Sequence, residues 1–153
     1  MKVSKIKQAL IAVASAAVLL ITPAPAFAAT AGCGFGCDGL DPNNASMEDA
    51  NGALHLCHTS ARTLSTRNVP GLGSVDLRYS SYCRIAWARG AGGVEIQVRS
   101  YWHQSDSWGA ARRIEIQYDT DNGGYTRTVN DANLYAQACI ADTSGNWYCT
   151  PRA

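Results

Sequence analysis

Six cysteines constrain the fold of this chain more than any other feature of its sequence. An even number of cysteines in a short exported chain is typical of a disulfide framework, which supplements a small hydrophobic core. The sequence therefore predicts three disulfides among Cys33, Cys37, Cys57, Cys83, Cys139 and Cys149. The competing interpretation is a metal site, because His55 and His58 lie close to Cys57. Zinc sites usually contain C-x2-C pairs, and this chain has C-x3-C instead, so we expect no metal and no cofactor.

Residues 1–28 have the three regions of a secretory signal peptide. Three lysines precede residues 9–21, which are apolar or small apart from one serine. Two prolines follow, and Ala26-Phe27-Ala28 offers small residues at the two positions that a signal peptidase reads. The apolar run is shorter than the roughly 20 residues that span a bilayer. We therefore expect cleavage after Ala28, an extracellular location and no permanent membrane anchor.

Residues 29–153 have the length of a single secreted domain. All three lysines precede this part, which contains ten arginines, nine aspartates and three glutamates, a formal net charge of −2. A general nucleic-acid-binding protein needs a basic surface to neutralise phosphates. We therefore expect no nucleic-acid partner.

Hydrophobic periodicity predicts that this domain is mainly β. Apolar and polar residues alternate along four segments, residues 75–79, 83–88, 94–98 and 114–118. This is the pattern of half-buried strands, and it places Glu95 and Glu115 at outward positions. Asn122-Gly123-Gly124 is the strongest hairpin signal, and two further strands close the chain. The sequence predicts a small antiparallel β-barrel or sandwich.

One short helix is predicted ahead of the strands. The apolar residues that recur at spacings of three, four and three are Met47, Ala50, Leu54 and Cys57. This spacing places them on one helical face, and Ser46 is a suitable N-cap. Gly52 in the middle costs roughly 1 kcal/mol relative to alanine.

One disulfide can be paired from the sequence. Cys139 and Cys149 lie symmetrically about the turn at residues 142–146, so they would face each other across a hairpin. The other four cysteines allow three connectivities. We favour a bond from Cys57 or Cys37 to Cys83, which would tie the N-terminal segment to the first strands, and the choice between them stays open.

Two segments carry a resemblance to a known family. They are Cys37-Asp38-Gly39-Leu40-Asp41-Pro42 and, after the lone Cys57, the block Arg78-Tyr79-Ser80-x-x-Cys83-x-x-Ala86-Trp87-Ala88-Arg89. In this order they resemble the uncharacterised bacterial family catalogued as domain of unknown function 2690, over about residues 33–89. The resemblance implies exported proteins, or extracytoplasmic parts of membrane proteins, with no assigned activity and no catalytic residues. It favours extracytoplasmic sensing or binding over chemistry.

No catalytic residue is predicted from the motifs. The chain has no Gly-x-Ser-x-Gly nucleophile elbow, and outward glutamates on strands are usually solvated. The aspartates at residues 119–121 suit a turn better than a calcium loop. One alternative is a small secreted hydrolase or antibacterial effector that uses His103 with Asp106. Another is a protease inhibitor, which shares the disulfide-stabilised build.

Aromatic residues provide the candidate ligand-binding site. They are Tyr101, Trp102, Trp108 and Trp147. Exposed rings beside polar residues can stack against sugar rings or a partner protein; the alternative is that they cover the core, where Trp87 is expected in either case. We expect a secreted, non-enzymatic binding or envelope-associated module whose ligand belongs to the cell envelope or the extracellular medium.

Overall fold

The computed structural model of the protein describes residues 32–117 and 124–153. Within these ranges the chain forms eleven β-strands, β1 (Ser46–Glu48), β2 (Leu54–Leu56), β3 (Ala61–Val69), β4 (Gly73–Ser80), β5 (Ile85–Gly90), β6 (Ile96–Tyr101), β7 (Arg113–Gln117), β8 (Gly124–Tyr125), β9 (Val129–Asn130), β10 (Tyr135–Ala141) and β11 (Trp147–Cys149). Three short 3₁₀ turns occupy Gly34–Cys37, Cys57–Ser60 and Trp108–Ala110. The predicted mainly β domain is confirmed. No helix in the described ranges has the length and apolar character needed to cross a membrane.

Two antiparallel sheets pack face to face. The first sheet has the strand order β3-β4-β5-β8, with β9 also paired to β5, and the second has the order β11-β10-β6-β7. Strands β4 and β5 of the first sheet lie against β10 and β6 of the second. Because the two sheets stay separate and do not close into a ring, the architecture is the sandwich and not the barrel.

The core between the sheets follows the alternation of the sequence. Its fully buried members include Val75, Leu77, Ala86, Ala88, Val98, Ala138 and Ile140. Many of these side chains are small, so the sheets approach closely. At Gly90 a Cβ atom would lie 2.6 Å from Cγ2 of Ile96, so a larger residue there would have to displace the Ile96 side chain.

A second core lies on the other side of the first sheet. Ile85 and Trp87 of β5 are buried beneath residues 33–60, which we call the N-terminal segment. They pack in one cluster with Cys37, Ala45, Cys57 and Cys83. The prediction that Trp87 is a core residue is therefore confirmed. The N-terminal segment is a third layer, and it covers a sheet face that would otherwise expose apolar side chains.

All six cysteines are paired. Cys139 and Cys149 are register partners of β10 and β11 and form the predicted cross-hairpin disulfide. Cys57 bonds to Cys83, which settles the connectivity that the sequence left open, and Cys33 bonds to Cys37. Three disulfides indicate an oxidising, extracytoplasmic environment.

The predicted N-terminal helix is wrong, because residues 46–56 form the hairpin β1-β2. Asp49 Oδ1 accepts hydrogen bonds from the backbone N–H groups of Asn51, at 2.8 Å, and Ala53, at 2.9 Å. Gly52 adopts φ +82°, in the left-handed region that glycine enters without strain. An aspartate turn followed by a left-handed glycine reverses the chain, and the apolar spacing that suggested a helix belongs to two short strands.

The substitution Gly52→Ala distinguishes the hairpin from the helix, because it would change the stability of the protein in opposite directions in the two structures. In the left-handed turn, alanine is expected to lower the free energy of unfolding by about 1 kcal/mol, whereas in a helix interior it would raise it by a similar amount. The added Cβ would meet only Glu48 Oε1, at 3.4 Å, so crowding contributes little. Urea denaturation provides the measurement.

Gly36→Ala is the matched control, because its Cβ would have no neighbour within 4 Å and its φ is not positive. This variant should be as stable as the parent. A Gly52→Ala protein more stable than the parent would contradict the hairpin.

Candidate functional site

The outer face of the second sheet carries polar and aromatic side chains that are buried. Since Ile96 and Val98 point into the core, the alternate positions on β6 point outward. These are Gln97, Arg99 and Tyr101, and all three are buried. A sandwich face that should meet solvent is therefore covered by another part of the chain.

The edge strand β7 presents its isoleucines on the same outer face. Ile116 lies opposite Gln97 and Ile114 lies opposite Arg99, and both isoleucines are exposed. Glu115, expected at an outward position, instead points the other way and forms an ion pair with Arg113, its side chain only 13% exposed. The sequence predicted the alternation along β7 correctly, but it predicted the wrong face of β7 to be exposed.

Trp108 covers the centre of the outer face. Its ring lies 3.3 Å from the guanidinium carbon of Arg99, and its carbonyl oxygen accepts a hydrogen bond from Arg99 Nη1 at 3.0 Å. The ring of Trp147 lies 6.5 Å from that of Trp108, centroid to centroid. We call these two rings the Trp108/Trp147 pair. The pair remains accessible, since Trp108 is 39% exposed.

Tyr101 lies beneath this surface and is not part of it. Its ring is buried under the guanidinium of Arg152, whose central carbon lies 3.6 Å from the ring centroid. Gln137 Nε2 donates to the Tyr101 hydroxyl at 2.9 Å. Arg152 Nη1 also donates to the carbonyls of Gln104, at 2.7 Å, and Asp106, at 2.6 Å. Tyr101 therefore supports the segment that carries the exposed tryptophans.

Trp102 belongs to a second aromatic pair. It is 53% exposed, and its ring packs edge-on against Phe35 with the centroids 6.0 Å apart. The Arg112 guanidinium lies 4.7 Å from the Phe35 ring and forms two hydrogen bonds to Asp38, at 2.8 and 2.9 Å. We call these rings the Phe35/Trp102 pair. It rests on a salt bridge whose two side chains are largely buried, so its position is well defined.

His103 and Asp106, the residues of the hydrolase alternative, are joined through the backbone of His103. Asp106 Oδ2 accepts a hydrogen bond from the backbone N–H of His103 at 2.9 Å. The carboxylate therefore caps a turn and does not orient the imidazole. In the part of the chain that the structure describes, no three His, Cys, Asp or Glu side chains are arranged to hold a metal. The turn signal at residues 122–124 and the aspartates at 119–121 fall at or beyond the edge of the described residues.

One buried carboxyl group belongs to no motif or pattern in the sequence that would predict its burial. Asp131 follows β9 and is buried, and its Oδ1 has no hydrogen-bond partner among the described residues. Burial raises the pKa of Asp131 to about 8, although the positive charge of Arg84 opposes the shift. Arg84 and Asn133 both have positive φ, +56° and +59°, and Arg84 Nη2 donates to Asn133 Oδ1. Such strain persists only where the surrounding structure holds it.

The chain matches a known protein family. The model of the family described as "Protein of unknown function (DUF2690)" matches residues 35–139, more than half of the chain. The chain belongs to the DUF2690 family. No curated protein and no solved structure matches it. The DUF2690 match extends well beyond residue 89, where the resemblance in the sequence ended, and it includes Phe35, Trp102 and Trp108 but not Trp147.

The residues that carried the DUF2690 resemblance have structural contacts in this fold. Asp38 holds Arg112 and also accepts the backbone N–H of Asn130. Arg78 donates to Thr63 Oγ1, at 2.8 Å, across two neighbouring strands. Ser80 Oγ accepts the backbone N–H of Cys83. These motif residues therefore have structural roles in this fold.

Proposed function

We propose that this protein is a secreted, non-enzymatic binding module that attaches to a cell-envelope or other extracellular ligand through its two exposed aromatic pairs. The observation that carries the proposal is that contacts with neighbouring side chains hold the exposed rings of Trp102 and Trp108 in place. Each of these exposed rings packs against a second ring, and each pair contacts an arginine side chain. Both tryptophans belong to one segment, residues 102–110, which Arg152 holds in place through hydrogen bonds to two of its carbonyls.

Rings held in this way suit binding for two reasons. An exposed indole offers a large apolar area, and tryptophan and arginine dominate the energetics of binding surfaces. A ring that is already fixed loses little conformational entropy when a ligand covers it. The secreted location in the proposal is supported by the three disulfides and by the predicted signal peptide.

The double substitution Trp102→Ala with Trp108→Ala is expected to reduce retention on purified bacterial cell walls at least about tenfold, since each anchor ring contributes on the order of 1–2 kcal/mol to binding. The measurement is a pull-down of the protein with insoluble cell-wall material. Circular dichroism and thermal denaturation would show that both proteins are folded.

Leu54→Ala is the matched control. Leu54 is 69% exposed on β2, outside both aromatic pairs, so its loss removes exposed apolar area without touching the proposed surface. This variant should be retained like the parent. If the double tryptophan variant were also retained like the parent, the aromatic pairs would not be the binding surface.

A further inference from the structure

Strand β7 is an open end of the second sheet. In the strand order of the described residues, β7 is paired on one side only, with β6. Its outer face exposes Ile114 and Ile116, at 41% and 39%. The long terminal strand β3 of the first sheet differs, because a register shift interrupts it and its exposed side chains are polar. Such features protect a sheet edge from pairing with another chain, and the outer face of β7 lacks them.

The backbone of β7 can accept a further strand. In antiparallel pairs, alternate residues bond to the same neighbour. The N–H of Ala141 donates to the carbonyl of Glu95, so the odd-numbered residues of β10 and β6 bond to each other. The even-numbered residues of β6 therefore bond to the odd-numbered residues of β7. The N–H and C=O groups of Ile114 and Ile116 consequently point away from β6, towards the edge.

The side chains of β7 suit a second copy of the same strand. Arg113 and Glu115 carry opposite charges and lie on the face opposite to the isoleucines. A two-fold antiparallel ladder centred on Ile114 places Arg113 of each copy opposite Glu115 of the other. A ladder centred on Glu115 would place two glutamates face to face, which is unfavourable. One centred on Ile116 would leave Glu115 opposite an uncharged residue. Charge complementarity therefore favours the ladder centred on Ile114.

We propose that two copies of this protein associate through β7, in an antiparallel ladder centred on Ile114 that joins their four-stranded second sheets into one sheet of eight strands. Ile114 of one copy faces Ile114 of the other, and each Ile116 lies diagonally across from it, so the exposed isoleucines of both copies form one apolar patch. Two Arg113–Glu115 pairs flank the centre on the other face.

The geometry of this dimer bears on ligand binding. The two-fold axis of such a ladder is perpendicular to the sheet, so the outer faces of both copies lie on the same side. Ile114 shares its face with the Trp108/Trp147 pair, since it lies opposite Arg99, on which Trp108 stacks. The dimer therefore presents two such pairs on one side, which would strengthen binding through bivalent attachment. This consequence rests on the proposed function, whereas the dimer itself does not.

Analytical ultracentrifugation of the purified protein should show a mass that rises from monomer at about 10 µM towards dimer at about 1 mM. Arg113→Glu and Glu115→Arg should each remain monomeric, because like charges then face each other across the ladder. A 1:1 mixture of these two variants should dimerise again, since each negative position of one variant lies opposite a positive position of the other. Thermal denaturation would show that both variants are folded.

Arg67→Glu is the matched control for charge reversal. Arg67 is an exposed arginine on the terminal strand β3 of the first sheet, away from the proposed ladder. This variant should dimerise like the parent.

Single cysteines at the two isoleucines test the register of the ladder. The Cα atoms of the two Ile114 residues would lie about 5.5 Å apart, within the range of a disulfide. The two Ile116 residues would be offset along the strands by about 13 Å. Under mild oxidation, Ile114→Cys should form a covalent dimer at least about tenfold faster than Ile116→Cys, which replaces a residue of nearly equal exposure. The six native cysteines are all paired, so only the introduced thiol is free to react.

Three results would overturn the β7 dimer. These are a parent protein that stays monomeric at millimolar concentration, a mixture of the two charge variants that forms no dimer, and equal rates of cross-linking at the two cysteine positions. All of these measurements are made without cell-wall material. Cell-wall retention that depends on Trp102 and Trp108, in a protein that stays monomeric, would refute the dimer and leave the proposed function intact.

Discussion

Removal of the Cys57–Cys83 disulfide, by Cys57→Ala with Cys83→Ala, is expected to lower the free energy of unfolding by about 3–4 kcal/mol. The bond closes a loop with a sequence separation of 26, the longest of the three. A longer closed loop removes more conformational entropy from the unfolded chain. Both cysteines are fully buried in the second core, so the substitutions also remove packed sulfur atoms.

The other two disulfides allow the effect of loop length on stability to be compared within the same protein. Their sequence separations are 10 for Cys139–Cys149 and 4 for Cys33–Cys37. The same dependence on loop length predicts that removing these bonds lowers the free energy of unfolding by about 3 and about 2 kcal/mol, respectively. Urea denaturation of the three double-alanine variants gives the order directly. If loss of Cys33–Cys37 destabilised the protein more than loss of Cys57–Cys83, loop closure would not be the main source of the stability that these bonds provide.

Asp131→Asn is expected to stabilise the protein at pH 7 by about 2–4 kcal/mol. The folded state raises the pKa of Asp131 to about 8, chiefly by burial. At pH 7 the folded protein therefore keeps a proton that the unfolded chain releases. Asparagine has nearly the same shape, is neutral at every pH, and needs no proton to be buried.

The sign of the pH dependence follows from the same shift. Below about pH 4, the ordinary range of an aspartate, both states hold the proton and the contribution to stability is fully present. It decreases as the pH rises through the window up to the folded-state pKa of about 8, and then levels off. Thermal denaturation between pH 5 and pH 8 should show this decline in the parent and a smaller decline in Asp131→Asn.

Glu48→Gln is the control for this pH dependence, because Glu48 is an exposed carboxyl group on β1. It should retain the decline of the parent. A parent protein whose stability is constant between pH 5 and pH 8 would show that Asp131 is ionised in the folded state.

The strands were predictable where the alternation coincided with the core. On β4, Val75 and Leu77 face inward as expected. Periodicity alone does not say which face is buried, and on β7 the face that carries Glu115, paired with Arg113, is the less exposed one. The N-terminal helix failed because spacings of three and four residues also fit a tight hairpin, while Asp49 and Gly52 were the turn signals that decide it.

The candidate site was predictable only in its local part. Trp102 and Trp108 stand out in the sequence because they lie close together in a polar stretch. Phe35 is 67 positions away from Trp102 and meets it only in the folded chain. Arg99 looks like an ordinary outward residue on a strand, and its burial depends on a segment that returns over the sheet. Contacts of this kind depend on tertiary structure and leave no local pattern.

The position of the Cys139–Cys149 bond has a consequence for association between molecules. It links β10 to β11, which lies at one end of the second sheet and has only three residues. A strand at the end of a sheet can be exchanged between two copies of a chain, which produces a domain-swapped dimer. Here the strand is covalently tied to its own neighbour, so it cannot move to another molecule while the bond is intact. The oxidised protein is thereby protected from strand exchange at this edge.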